Sequence, residues 1–291
     1  MANDLEVSVV LPTFNQASRL ELTLSSLRYQ RFPQGGWEAI VIDDGSTDDT
    51  AAVLDAFAGR LPLQMLRQRN AGRSAARNAG AAIAVGRTLV FCDGDRVCGP
   101  SFVSAHADAT ANGDAALVNL GEVREAYVAD LERRRVKLLS DIEAGCAWLA
   151  RRSRRPHFVA EVYRHLLAPD SIADSSFAWL CFLSGNVSLP RALFDQAGGF
   201  DEDFVEWGFE HFDLGYRLAG LGTTFQHSPD AVNYHLAHRR EPGFYESGIA
   251  ASAALLRRKH PRLPVNALVS LTRGETSLAA FRAAAEPLEL R

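Results

Sequence analysis

Apolar residues recur along the first hundred positions in two alternating rhythms. Short apolar runs occupy Leu5 to Leu11, Trp37 to Ile42, Leu63 to Leu66 and Thr88 to Cys92. Each has the length of a strand, and all but Leu63 to Leu66 carry the β-branched residues of a buried one. Between them the spacing lengthens to three and four. Leu20, Leu24 and Leu27 share one helical face, as do Val53, Leu54 and Phe57, and the Ala-rich stretch from Gly72 to Val85 also reads as helix. Strands alternating with helices predict βαβ units and a mostly parallel sheet. Further on, Pro100 to Asn112 and Ile249 to Lys259 read as helices, and Ala115 to Leu120 as a strand. A strand is also expected from Phe177 into Ser184-Gly185-Asn186, with two short strands at Thr223 to Gln226 and Ala231 to Tyr234. A helix from Glu210 to Ala219 ends at Gly220. The tail after Pro264 is Ala-rich and says little beyond helix.

Polar clusters punctuate this pattern at one kind of place. Pro12-Thr13-Phe14-Asn15, Asp43-Asp44-Gly45-Ser46 and Asp93-Gly94-Asp95 each follow an apolar run. In parallel sheets, ligands bind beyond the carboxyl ends of strands. Asp, Gly and Ser also build ordinary turns, but turn chemistry does not explain why all three clusters share that location. Two neighbouring carboxylates at Asp93 and Asp95 repel and are costly to bury unless a cation compensates them. Mg2+ or Mn2+ suits such oxygen ligands and often bridges to phosphates. Carboxylates at Asp43 and Asp44 can accept hydrogen bonds from ribose hydroxyls or a base N–H. Asn70-Ala71-Gly72-Arg73 and Arg77-Asn78 place donors near a helix start, where a phosphate fits. Trp207-Gly208 offers an aromatic platform with close backbone approach, and Glu210 and Asp213 lie three apart at the start of the late helix. His235 and His238 follow the last strand and can complete a site that holds Asp95.

Composition narrows the field. The chain has 291 residues, is 47% hydrophobic and 23% charged, and carries a formal net charge of -4. That balance argues against nucleic acid as a partner. No apolar run approaches the ~20 residues of a membrane span, and the first residues lack the pattern of a signal peptide. The four cysteines, Cys92, Cys98, Cys146 and Cys181, form no C-x-x-C pair. A cytoplasmic protein with reduced, buried thiols is expected. The region 122–175 changes character, with Arg133-Arg134-Arg135 and Arg151-Arg152-Ser153-Arg154-Arg155, and reads as a variable, helical insertion.

Taken together, the motifs resemble family 2 glycosyltransferases with the nucleotide-sugar-binding GT-A fold. The resemblance rests on Val9 to Asn15, Val41 to Asp48, Asn70-Ala71-Gly72 with Ala76-Arg77-Asn78, and Phe91 to Asp95. It continues through Gly185-Asn186, Gly198 to Glu202 and Trp207-Gly208-Phe209-Glu210. It implies an α/β, single Rossmann-like domain over residues 1–240, with a nucleotide-binding half (1–100) and an acceptor half (101–240). Residues 241–291 form a helical extension. It implies transfer of a sugar from a nucleotide-diphosphate sugar, UDP-linked in the first instance, to an acceptor hydroxyl. The acceptor itself is left open: saccharide, small molecule, peptide or carrier-bound group. Oligomeric state is left open as well. On this resemblance Asp93-Gly94-Asp95 is the D-x-D motif. Asp95 holds Mn2+ or Mg2+ on the diphosphate, and Asp93 contacts ribose or metal. Asp43 and Asp44 read the nucleoside, Pro12, Thr13 and Phe14 line the base pocket, and Asn70, Arg77, Gly94 and Trp207 bind the donor. His235 is the late metal ligand, with His238 as its rival.

One position departs. Many inverting members carry Glu-Asp where this chain has Glu210-His211, the Asp being the base for the acceptor hydroxyl. Either Glu210 or His211 takes that role, or Asp213 does, or no base operates, as in related retaining enzymes. The expectation is inversion with Glu210 or His211 as base. A protein that binds nucleotide sugars without turning them over is the competing expectation. A nucleotidyltransferase fits less well, because no Gly-rich, basic phosphate loop follows the first strand.

Overall fold

The computed structural model describes residues 5–31, 36–111, 115–123, 127–128, 131, 140–166, 175–238 and 243–285. The Arg133-Arg134-Arg135 run and much of the expected insertion lie outside them. The first half follows the alternation closely. Strand β1 is Val7–Thr13, followed by α1 (Ala17–Leu27), β2 (Trp37–Asp43), α2 (Thr50–Phe57), β3 (Leu63–Arg67), α3 (Arg73–Ile83) and β4 (Thr88–Cys92). Strands β1, β2 and β4 are buried along their whole length, which is why they read as continuous apolar runs rather than alternating ones.

The order β3-β2-β1-β4 is parallel throughout. Because β1 sends its connection one way to β2 and accepts β4 on its other side, a crevice opens beyond the strand ends there. The chain then adds β5 (Arg96–Cys98), α4 (Phe102–Thr110), β6 (Ala115–Val123), α5 (Ile142–Ala150), β7 (Ser153–Arg154) and α6 (His157–Leu166). A 3-10 segment (Ser175–Cys181) leads to β8 (Asn186–Pro190), α7 (Arg191–Ala197), α8 (Glu210–Gly220) and β9 (Phe225–Leu236). Helices α9 (Phe244–Lys259), α10 (Val265–Arg273) and α11 (Leu278–Ala284) close it. The sheet becomes mixed past β4: β8 pairs antiparallel with β4 and β6, while β6 and β9 run parallel and β9 turns back antiparallel onto β5.

Two expected elements differ. The run after Phe177 is 3-10 helix, not strand; Phe177, Trp179, Leu180 and Phe182 are buried on every side, so no period marks their conformation. The two short strands after Thr223 are a single strand, β9. Pro229-Asp230 interrupts the apolar pattern, and the pairing with β6 shifts register between Val118 and Leu120 to absorb it. As a result His235 lies within β9 rather than after it.

One core packs α1, α2 and α4 against one sheet face, with Leu20, Leu24, Phe57 and Phe102. The other, larger core joins α3, the 3-10 segment, α8 and the C-terminal helices around Trp179, Phe212, Leu256 and Phe281. Among the described residues, no helix is long and apolar enough to cross a membrane.

Candidate active site

A cavity of about 790 Å³ opens at the carboxyl ends of β1 and β4, inside the ~300–1,000 Å³ range of small-molecule sites. Its strand-end side holds most of the residues singled out above. Pro12, Thr13 and Phe14 leave β1 and line it, with Phe14 48% exposed. The Asp93-Gly94-Asp95 turn crosses directly over them. A Cβ at Gly94 would lie 2.7 Å from Gln16 Nε2 and 3.2 Å from the Pro12 carbonyl, so the two turns approach closely at this glycine.

Asp93 and Asp95 are compensated by cations, as their proximity requires. Arg77, 1% exposed, donates from Nη2 to Asp93 Oδ1 at 2.8 Å and from Nη1 to Glu210 Oε1 at 3.1 Å. Arg96, which the sequence reading overlooked, places Nη2 3.6 Å from Asp93 Oδ2. Its guanidinium lies against Gly185, where any Cβ would fall within 2.3 Å of it. Burial works to raise the Asp93 pKa, but Arg77 and Arg96 outweigh it and hold the carboxyl below its usual range.

Asp95 faces a different set. Its Oδ2 is 3.4 Å from His235 Nε2 and 3.8 Å from His238 Nδ1. Candidate ligand atoms of the three residues lie within 4.8 Å of one another. Register explains the assembly: His235 pairs with Arg96 on β5 and with Glu122 on β6, and the Leu236 N–H donates to the Asp95 carbonyl at 2.9 Å. Glu122, also missed, sits 3.6 Å from His235 Nδ1 and so orients the ring. Burial pulls the His235 pKa down, but Asp95 and Glu122 push it up to about 9. The buried Asp95 Oδ1 has no hydrogen-bond partner. One orphaned carboxylate oxygen beside two imidazoles is a donor set that fits a divalent cation.

Other expected residues have local tasks. Asp44 lines the cavity, yet its carboxylate accepts from the Ala71 and Gly72 N–H groups and from Gln68 Nε2, fixing the loop that starts α3. Asn70 Nδ2 donates to the Asp44 carbonyl. Asp43 does not reach the cavity. As the last ladder residue of β2 it pairs with Arg67 of β3, 3.5 Å away, and accepts from the Ser46 N–H.

The start of α8 supplies the remaining chemistry. Trp207, Glu210 and His211 line the cavity. The turn before the helix is unusual: Gly208 has φ +98° and Phe209 φ +71°, a left-handed conformation rare for an aromatic residue. Glu210 Oε2 is buried without a hydrogen-bond partner and lies 3.8 Å from His211 Nδ1. Burial raises the Glu210 pKa, but His211, Arg77 and Arg73 together hold it well below the ordinary carboxylate range. Asp213 is not brought to the cavity. Its Oδ2 accepts from Arg217, and its Oδ1 is 2.7 Å from His260 Nε2.

The far wall was not foreseen. It comes from Phe244, Tyr245 and Ile249 of α9, Thr272 and Arg273 of α10, and Phe158 of α6.

Comparisons agree with this geometry. The model of "Glycosyl transferase family 2" matches residues 8–176, and that of the "N-terminal domain of galactosyltransferase" matches residues 173–239. The chain is 34% identical over 269 residues to validoxylamine A glucosyltransferase of Streptomyces hygroscopicus subsp. jinggangensis, which covers 88% of this chain and 61% of that relative. The chain thus spans less than two thirds of that relative's length. Its fold is similar to S. aureus TarS 1-349 in complex with UDP-GlcNAc, at TM-score 0.60 and 18% identity over 97% of this chain and 82% of that one. The mannosyltransferase PcManGT from Pyrobaculum calidifontis, in complex with GDP-Man and Mn2+, aligns at TM-score 0.56 and 19% identity over 97% and 76%. A doubly wound α/β sheet, a strand-end cavity and these matches identify the fold as GT-A and place the chain in glycosyl transferase family 2.

Proposed function

We propose that the chain transfers a sugar from a nucleotide-diphosphate donor, UDP-linked in the first instance, to an acceptor hydroxyl with inversion. The observation that carries this reading is the buried Asp95 carboxylate, one oxygen unpartnered, facing His235 and His238 beside a cavity floored by Pro12, Thr13 and Phe14. Asp95, His235 and His238 would hold the ion, and two imidazoles beside one carboxylate suit Mn2+ better than Mg2+, which prefers oxygen. A bound divalent ion supplies positive charge to the leaving diphosphate. Arg73, at the positive end of α3, adds to that charge from the protein side. Arg77 acts differently from the expected donor contact, because both its Nη groups already serve Asp93 and Glu210; it positions the two. Solved relatives in complex with UDP-GlcNAc, and with GDP-Man and Mn2+, support the donor class and the ion. The four buried, unbridged cysteines suit work in the cytoplasm.

Of the three candidates for the base, we favour His211. Arg77 Nη1 holds Glu210 Oε1 at 3.1 Å, which ties this carboxylate into the cavity wall. Asp213 is committed to Arg217 and His260, away from the cavity. His211 lines the cavity, and its Nδ1 faces the unpartnered Glu210 oxygen. That leaves Nε2 to take the acceptor proton, with Glu210 steadying the ring and the resulting imidazolium.

The test is nucleotide release. The protein is mixed with Mn2+ and UDP-, GDP- and dTDP-sugars, and free nucleotide diphosphate is measured. Release from a UDP-sugar, abolished in Asp95→Ala, is expected. No release from any donor, or unchanged release in Asp95→Ala, overturns the reading.

A further inference from the structure

The end of the cavity opposite the D-x-D turn has a chemistry of its own. Trp207 and Tyr245 meet edge to face, ring centroids 4.7 Å apart at 77°, and Phe244 stands 5.4 Å from Tyr245 at 83°. Tyr245 is 42% exposed, so its ring is available to a ligand. The corner is rigidly mounted. A Cβ at Gly248 would come within 3.0 Å of the Trp207 carbonyl, and Ser252 Oγ donates to the same carbonyl at 3.3 Å. Helix α9 therefore fixes both rings through one close contact. Phe244 and Tyr245 lie beyond residue 239, past the residues that the two family models match, whereas Trp207 lies within them.

Charge is distributed unevenly between the two ends. Arg19, Arg73, Arg77 and Arg96 line the donor end. At the aromatic end, Arg273 is the one cation among the described lining residues, and it stands 3.9 Å from Glu275. Glu206, with a free carboxylate to accept from hydroxyls, sits at the lip. Among the described residues, an anionic acceptor finds little counter-charge here. A puckered ring with an apolar C–H face and hydroxyls around its edge matches a corner of two perpendicular aromatic faces bordered by Glu206 and Thr272. His211 lines the same cavity, where an acceptor hydroxyl must lose its proton.

We propose that this corner is the acceptor subsite, and that it takes an uncharged cyclic polyol, a sugar or cyclitol ring, seated against Trp207 and Tyr245. The proposal rests on the transferase reading above, and its test separates the two. Initial rates are measured with Mn2+, the donor that releases nucleotide, and four probes: methyl glucopyranoside, methyl galactopyranoside, myo-inositol and glucose 6-phosphate. At least one uncharged polyol should receive the sugar. Removing one stacking ring is worth about tenfold, so Tyr245→Ala should raise that acceptor's KM by about this factor. Tyr245→Phe should restore it, and the Kd of the donor nucleotide should not move in either variant. The proposal falls if no polyol is glycosylated while the donor is still hydrolysed, if the phosphorylated probe is the better substrate, or if Tyr245→Ala leaves the acceptor KM unchanged. Absence of donor binding altogether would instead bring down the transferase reading, and this subsite with it.

Discussion

The two ends of the cavity are built by different means. The donor end is made of strand ends: Thr13, Glu122 and His235 are placed by ladder register and Asp93 and Asp95 by the turn between β4 and β5, and the charges are balanced pair by pair. The acceptor end is made of helices: Trp207, Tyr245 and Thr272 come from three segments held by packing, with few charges. A sheet edge fixes polar atoms to within a hydrogen bond, as charge chemistry demands. A helix face offers area and shape, as recognition of a neutral ring demands. Arg77 joins the two, since its guanidinium reaches Asp93 at one end and Glu210 at the other.

The most damaging test of this division removes the joint. Arg77→Met would take the hydrogen-bonded cation from the buried Glu210 and the half-buried Asp93, a loss of about 3 kcal/mol. Chemical denaturation should show it, together with weakened donor binding. Stability within 1 kcal/mol of the parent (about fivefold in the folding constant) would mean that the two ends are not coupled through this residue. The second test addresses the acceptor step alone. His211→Asn should lower kcat by about 10³-fold, with the donor Kd unchanged, while His211→Asp should recover part of the rate. A kcat that survives His211→Asn would return the base role to Glu210.

A third experiment uses acid. His106 of α4 is fully buried between Ser188 Oγ at 2.7 Å and Asn186 Oδ1 at 3.0 Å, and burial pulls its pKa down to about 4. The folded state therefore disfavours protonation relative to the unfolded chain. The contribution is complete above pH 6.5 and is lost as pH falls toward 4, by roughly 3 kcal/mol over the window. Comparing denaturation of wild type and His106→Gln across pH 7 to 4 should show a shallower slope in the variant. Parallel slopes would refute the assignment. Because His106 holds β8, which carries the Gly185 turn against Arg96, acid should loosen the donor end first. The mildest change is Glu122→Gln, which removes the group orienting His235. It should weaken Mn2+ binding by about 10- to 100-fold, read by calorimetry, and leave the acceptor KM alone. An equal shift in both would blur the boundary between the ends.

The same contrast explains what was legible in the sequence. Strand-end acids such as Asp93 and Asp95 stand out because burying charge after an apolar run is expensive and demands a reason. Helix α3 and strands β1, β2 and β4 were legible because each buries a regular stripe or run. Glu122 and Arg96 escaped notice because their partnership with His235 depends on register between strands far apart in sequence. Phe244 and Tyr245 read only as helix, since nothing in their spacing tells a core-facing aromatic ring from one that faces a ligand. Asp43 shows the opposite failure: its acidity drew attention, but the ladder turns it toward Arg67. Asp213 likewise carried the right chemistry at the wrong address, because Arg217 and His260 had already claimed it.

Helix α9 has one further consequence. Gly248, Ser252 and Leu256 are its buried stripe, four residues apart, and this stripe docks the helix onto Trp207 and the core. Tyr245, 42% exposed, projects from the same helix toward the cavity, one position off that stripe. Substrate preference and folding thus draw on separate letters of a single helix. Mutation can rewrite the first set while the second holds the helix in place, so lineages carrying this extension have room to explore new acceptors with little loss of stability.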